Sequence, residues 1–309
     1  MGIVESSYYV SNTPEVRNDF FVSEKRKKIW NIQLGLLKEF ECVCEKYKLT
    51  YFVTNGTLLG AIRHNGFVPW DDDFDVCMPR PDYEKLTEVA NFEFKKPVYL
   101  HTEFTESNTY RPWMRLRNEN TTAVPTKDWN RDIRQGIFID VFPIDGISRN
   151  KFSVFFNDLH IRFLTILADN NVYYDYYTNH KLIRLFAKKY TNRLIRKGKY
   201  DLLLKKIRRT TAQYDYSNAK IVCIKTHGKR FVYPKSFFKP LIHDFENTKV
   251  TIPSGYENIL RMIYGDYEKL PPQELRGQRH SIFFDPDSAY EKYYGKVAFA
   301  EVEKELNNY

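Results

Sequence analysis

The chain has 309 residues, 42% of them hydrophobic and 28% charged, with 48 Lys and Arg against 39 Asp and Glu and a formal charge of +9. That balance excludes a disordered or fibrous protein and supplies enough apolar material for one large domain or two unequal ones. The most apolar long stretch, Phe152 to Ala168, is interrupted by Asn157, Asp158, His160 and Arg162, which excludes a lipid-facing membrane span.

In chain order, the residues up to Val16 lack both a basic start with an apolar core and a small-residue cleavage site, so export is not expected and a cytoplasmic protein is. Glu24 to Lys48 reads as a helix, since Ile29, Leu36, Phe40, Val43 and Tyr47 lie near one stripe. Cys42 and Cys44 within it face different ways and cannot share a zinc ion, and with Cys77 and Cys223 they are expected as reduced, buried thiols. A short strand, Tyr51 to Thr54, runs into the turn Asn55-Gly56-Thr57, where Thr57 is the expected cap of a helix over Leu58 to His64. Phe74 to Met78 is the next strand, stopped by Pro79, and Asp82 to Phe92 the next helix. Strands follow at Val98–Leu100, Trp113–Arg117 and Ile137–Phe142. Residues 151 to 215 are helical by pattern. Strands return at Ile221–Ile224 and Lys249–Ile252, ahead of helices over Tyr256 to Tyr264 and Ser288 to Asn307. The expected organisation is a mixed core over 1–150, a basic helical region over 151–215, and a segment over 216–309 that completes the core.

The positive charge is local. Lys181 to Thr210 holds twelve Lys or Arg and one acid, a net +11 that leaves the rest of the chain near −2. Apolar residues at helical spacing make this a basic amphipathic pair of helices. Two readings stand: an ordinary solvated helix face, or a surface for anionic lipid or an anionic polymer.

The chemistry concentrates at Asp71-Asp72-Asp73-Phe74-Asp75. Four carboxylates within five positions repel one another, so they need either a cation or full exposure as an acidic surface loop, and the apolar company of Phe67 to Trp70, Val76 and Met78 favours the first. In an extended chain Asp71, Asp73 and Asp75 share a face, with Asp72 opposite. Oxygen ligands of this kind suit Mg²⁺ or Mn²⁺. Upstream, Gly56-Thr57 at a strand-to-helix junction offers backbone N–H groups and a hydroxyl to a phosphate, or is simply a cap. Asp140 lies inside an apolar strand, where a charge needs a metal or an ion-pair partner. Asp145, beyond Pro143, reads as a turn residue.

From Gly56-Thr57-Leu58-Leu59-Gly60, through Arg63-His64-Asn65-Gly66-Phe67-Val68-Pro69-Trp70, to Asp71-Asp72-Asp73-Phe74-Asp75-Val76, the sequence resembles the LicD family, which includes bacterial phosphorylcholine transferases and is related to fukutin-type sugar-phosphate transferases. Gly136 to Asp145, Pro253 to Tyr267, Leu270-Pro271-Pro272 and Arg279-His280 match more weakly. The resemblance implies an α+β fold with a nucleotidyltransferase-like small mixed sheet flanked by helices and a largely helical extension. It implies Asp73, Asp75 and Asp140 as metal ligands for Mg²⁺ or Mn²⁺, with Asp71 ligating the metal or its water shell and Asp140 or Asp71 taking the acceptor's proton. Gly56, Thr57, Arg63, His64, Arg115 and Arg117 are its candidates for nucleotide and phosphate contacts, and His280 for nucleotide or acceptor. The implied activity is transfer of phosphocholine from CDP-choline to a hydroxyl of a cell-surface glycan such as teichoic acid, lipopolysaccharide or a capsule precursor, free or lipid-linked. Ribitol phosphate, glycerol phosphate and phosphoethanolamine are alternative cargoes. Peripheral contact with an anionic membrane is an open alternative for the basic helices, a non-enzymatic binder is the remote one, and no nucleic-acid partner is expected.

Overall fold

A computed structural model describes residues 7–106, 110–125, 133–168, 181–226, 229–277 and 282–294. A hairpin of β1 (Glu15–Arg17) and β2 (Phe20–Val22) precedes helix α1 (Glu24–Tyr47). Ser23 caps α1 by accepting from the Arg26 amide at 3.2 Å, and Lys48 ends it in the left-handed region at φ 55. The apolar stripe of α1 buries Trp30, Leu34, Leu37 and Phe40. Then come β3 (Phe52–Val53), α2 (Asn55–His64), β4 (Asp75–Pro79), α3 (Arg80–Glu93), β5 (Val98–His101), β6 (Met114–Asn118), β7 (Thr122–Pro125) and β8 (Ile137–Gly146). Among the described residues the helices that follow are α4 (Lys151–Ala168), α5 (Lys181–Arg196) and α6 (Tyr200–Thr211). The chain closes with β9 (Ile221–Thr226), β10 (Lys229–Pro234), β11 (Pro240–Phe245), β12 (Thr248–Pro253), α7 (Tyr256–Tyr264) and β13 (Ile282–Asp285).

Strand β8 organises the sheet. All ten of its residues are buried, as a nearly continuous apolar strand covered on both faces requires. Among the described residues its one parallel neighbour is β4, with Asp75 opposite Asp140. Antiparallel β6 pairs with its first half, Asn118 opposite Ile137 through Met114 opposite Val141, and antiparallel β9 with Ile144 to Gly146. Outside these lie β3, β5 and β10. The result is a mixed sheet flanked by helices with a helical extension, the nucleotidyltransferase-like arrangement expected. The extension has its own apolar cluster of Leu164, Leu167, Tyr200, Leu203, Leu204 and Ile207, to which Tyr110 contributes. Among the described residues no helix is long and apolar enough to cross a membrane.

Several expectations are corrected. Pro143 does not end its strand: parallel pairing continues through Pro143 opposite Met78, so Asp145 is a buried strand residue rather than part of a turn. Its charge is met by the Arg80 guanidinium, whose Nε and Nη2 donate to the two carboxylate oxygens at 2.6 and 2.9 Å. Helix α2 begins at Asn55, so Thr54 holds the cap position and Thr57 lies within the first turn. Cys42 is exposed, while the other three thiols are buried. Strands β1, β2, β7, β10, β11 and β13 carry no strong alternation in sequence and emerge only from pairing. The last expected helix has a 3-10 turn, Tyr290–Lys292, within its described start, and residues 295–309 lie outside the described residues, as does His280.

Candidate active site

The site is built where β3, α2 and the start of β4 meet. β3 and β4 pair antiparallel, Val53 opposite Val76, and the Thr54 amide donates to the Asp75 carbonyl at 3.0 Å. This fixes the first turn of α2 against the aspartates. Thr57 does not cap its helix; its Oγ1 accepts from the Asp75 amide at 2.8 Å and so holds the start of β4. Gly56 leaves room for the Asp71 carboxylate, because a Cβ there would displace its Oδ2. An anionic side chain is thereby seated at the positive end of α2.

Residues 71–74 are not part of a strand, and the extended-chain parity fails there. β4 starts only at Asp75. Asp71, Asp72 and Asp73 instead bring carboxylate oxygens within 4.8 Å of one another, so Asp72, which parity sets on the opposite face, joins the group. Three hard oxygen donors at this spacing suit a divalent cation. Backbone contacts hold the turn: Arg26 Nη1 donates to the Asp71 carbonyl at 2.7 Å and Gln33 Nε2 to the Asp72 carbonyl at 3.1 Å. Arg26 is therefore a cation beside the acids that no local sequence signal marks, since it arrives from α1.

Asp75 and Asp140 stand side by side across the parallel pair, and the Asp140 amide donates to the Phe74 carbonyl at 2.8 Å. Asp75 is 5% exposed. Its Oδ2 accepts from Asn55 Nδ2 at 3.0 Å, while Oδ1 is buried without a hydrogen-bond partner. Burial, then the charges of Asp73, Asp140 and Asp71, push its carboxyl well above the usual aspartate range, and Asn55 opposes this only in part. A carboxylate so placed fits a metal ion, which would supply the missing charge and the missing partner. Asn55 is a further site residue, recognisable only by its position directly before Gly56-Thr57.

The basic candidates divide. Arg115 lies over Phe138 and donates from Nε and Nη2 to the two oxygens of Asp140, Nη2 at 3.0 Å. Arg117, two residues on, is fully buried, donates to His101 Nδ1 at 3.2 Å and to the Gly136 carbonyl at 2.8 Å, and belongs to the interior rather than to the acidic site. Arg63 and His64 lie on the last turn of α2. Arg63 donates to the carbonyls of Tyr267 and Lys269, tying α2 to the segment after α7, and to His64 Nε2 at 3.0 Å. With Nε2 accepting and Nδ1 against Asn18 Oδ1 at 2.9 Å, the imidazole is neutral. Burial and the charges of Arg63 and Arg17 push it down to about 4.

Beside Asp71 opens a cleft of about 300 Å³ lined by Gly56, Arg63, Trp70, Asp71, Tyr264 and Tyr267, among others. It joins the first turn of α2 to the C-terminal residues that follow α7. A second cavity, about 290 Å³, lies at the opposite end of β8 around Arg80, Asp145 and Arg208 and is lined by none of the candidate acids.

Residues 48–165 match the model of the LicD/FKTN/FKRP nucleotidyltransferase domain, a span that contains every acid of the site. The chain is 28% identical over 249 residues to a lipopolysaccharide cholinephosphotransferase of Haemophilus influenzae, a match that covers 80% of this chain and 92% of that protein. Shorter matches, each spanning about a fifth of both chains, link it to uncharacterized proteins of Rickettsia prowazekii, 37% identical over 54 residues, and Rickettsia typhi, 40% identical over 64 residues.

Proposed function

Because the chain belongs to the LicD family, we propose that it is a divalent-metal-dependent transferase that works in the cytoplasm and moves phosphocholine from CDP-choline to a hydroxyl of a cell-surface glycan or its precursor. One observation carries the reading: Asp75 is buried beside Asp73, Asp140 and Asp71 with one oxygen lacking a partner, a placement that calls for an external cation. Asp73 and Asp75 are the ligands proposed for Mg²⁺ or Mn²⁺, with Asp71 and Asp72 completing the oxygen set. Asp140 completes the acidic wall, its charge shared with Arg115. When bound, the ion supplies Lewis-acid stabilisation of the diphosphate.

The chain's own residues do the rest. The first turn of α2, at Gly56 and Thr57, meets the donor's phosphates once the Asp71 carboxylate that rests against Gly56 turns to the ion, and Arg63 in the cleft supports the same charge. The acceptor hydroxyl attacks the phosphorus of the phosphocholine group, an O–P bond forms, the P–O bond to CMP breaks, and CMP leaves with the electron pair. Asp71, which lines the cleft, takes the hydroxyl proton. Asp140 is the poorer base, because Arg115 occupies both of its oxygens. A cleft with Tyr264 and Tyr267 on its wall and Asp71 and Asp266 as its acids suits the cationic head group of choline better than a neutral polyol.

Donor profiling tests this. The purified protein with Mg²⁺ and a glycan acceptor is expected to release CMP from CDP-choline faster than from CDP-ribitol, CDP-glycerol or CDP-ethanolamine, and EDTA to abolish release. Preference for a polyol donor would keep the chemistry and change the cargo. No release from any CDP-alcohol would end the proposal.

A further inference from the structure

Helix α4 presents to water what amphipathic helices usually bury. Phe152, Phe155, Phe156, Leu159 and Phe163 share one stripe, and each is between 55% and 79% exposed. The opposite side of the same helix, with Val154, Leu164, Thr165 and Ala168, is buried. The packing of α4 against α5 and α6 therefore uses one face and leaves a second apolar face over.

The chemistry around that face is predominantly basic, with Asp201 at the start of α6 its exposed acid among the described residues. Among the described residues, no exposed position of α4 is acidic, because Asp158 is half-buried and ion-paired with Lys225 at 3.3 Å and with Arg230. Helix α5 adds exposed Leu185, Phe186 and Tyr190 together with exposed Lys188, Lys189, Arg193 and Arg196. Both helices adjoin or lie within the stretch that carries the net +11.

We propose that α4 and α5 form a docking surface for an anionic lipid bilayer, the phenylalanines of α4 entering the acyl boundary and the basic residues of α5 and α6 meeting the lipid phosphates. Phenylalanine on one face with Lys and Arg beside it is the combination an interfacial helix uses. A second copy of the chain fits the surface less well, since two such cationic faces repel. An anionic polymer would satisfy the charge and leave the phenylalanines in water. The inference stands on its own and does not depend on the reaction proposed above.

Vesicle sedimentation decides it. The full chain is expected to pellet with vesicles of equimolar phosphatidylglycerol and phosphatidylcholine at low salt, to bind phosphatidylcholine vesicles much less, and to be released as added salt shrinks the screening length from about 10 Å toward about 3 Å. Phe155→Ser with Phe156→Ser should weaken the partition about tenfold or more. Lys188→Glu with Lys189→Glu should also weaken it, and Phe92→Ser, at an exposed phenylalanine of α3, should leave it unchanged. All three sets lie on the surface, and circular dichroism melts matching the wild type are the check that the fold is kept. Failure to pellet with anionic vesicles at low salt would overturn the proposal. So would unaltered binding by F155S/F156S, or self-association of the chain that this pair abolishes, which would give the face to a second copy.

Discussion

Asp75 and Asp145 stand at opposite ends of the paired strands β4 and β8 and are 5% and 2% exposed. Asp145 is met by a guanidinium fork from Arg80 with both oxygens used. Asp75 has one side-chain amide, three acidic neighbours and an oxygen with no partner. Burial is equal and the electrostatics are opposite. The chain can evidently furnish a cation for a buried carboxylate, since it does so at Asp145 and again, through Arg115, at Asp140. Asp75 has none, and its placement fits a positive charge from outside the chain.

The largest effect expected from this contrast is on turnover. Asp75→Asn should cost about a thousandfold or more in CMP release, roughly 4 kcal/mol, while the thermal midpoint of the metal-free protein stays level or rises because a buried repulsion is removed. Asp145→Asn should do the reverse. It leaves Arg80 buried beside a neutral amide with Glu84, at 3.1 Å, as its remaining carboxylate, and should lower stability by up to about 3 kcal/mol in urea unfolding, with turnover per folded molecule kept. If the first substitution unfolds the protein and the second silences it, the roles assigned to the two ends are exchanged.

Mg²⁺ should stabilise the wild-type chain by about 2.7 kcal/mol at a hundredfold excess over its Kd, seen as a rise in melting temperature by calorimetry that Asp75→Asn removes and Asp145→Asn retains. The smallest effect concerns His64. Its folded pKa lies below its ordinary value of 6.5, at about 4, so between these values the unfolded chain binds a proton that the folded chain does not. Stability from this group is complete above 6.5 and declines as pH falls through that interval. Urea unfolding at neutral pH and at about pH 5 should show a shallower decline in His64→Gln than in the wild type.

Much of this contrast was legible in the residues themselves. The acids of 71–75, the Gly56-Thr57 turn and Asp140 in its apolar strand all meet at one place, because strand pairing converts a long sequence separation into adjacency. The details failed where local rules met tertiary ones. Strand parity set Asp72 apart, yet residues 71–74 turn before β4 begins and bring it into the group. Pro143 suggested a stop, but β4 on one side and β9 on the other hold the chain extended past it. Arg115 and Arg117 share a strand face and read alike, whereas only the register of β6 on β8 decides that the first meets Asp140 and the second the interior. Arg26 had no motif to announce it, and Asn55 read only as the first residue of the Gly56-Thr57 turn, not as a partner of Asp75. The exposed face of α4 was hidden for a related reason: periodicity shows that a helix has an apolar side and cannot show that it has two.

The register of β8 on β9 has a practical consequence. Gly146 lies opposite Val222, and the Ile147 amide donates to the Ile221 carbonyl at 3.1 Å, so the chain leaves the sheet and re-enters it at nearly the same point. Residues 151–215 are thus a detour between neighbours that a few linking residues would join, and loop-closure entropy changes by only about 0.6 kcal/mol for each doubling of such a connection. A trimmed version with a tight hairpin in place of residues 151–215 would let the sheet-bearing body be studied apart from its basic appendage, and the same junction offers a graft point for exchanging that appendage between relatives.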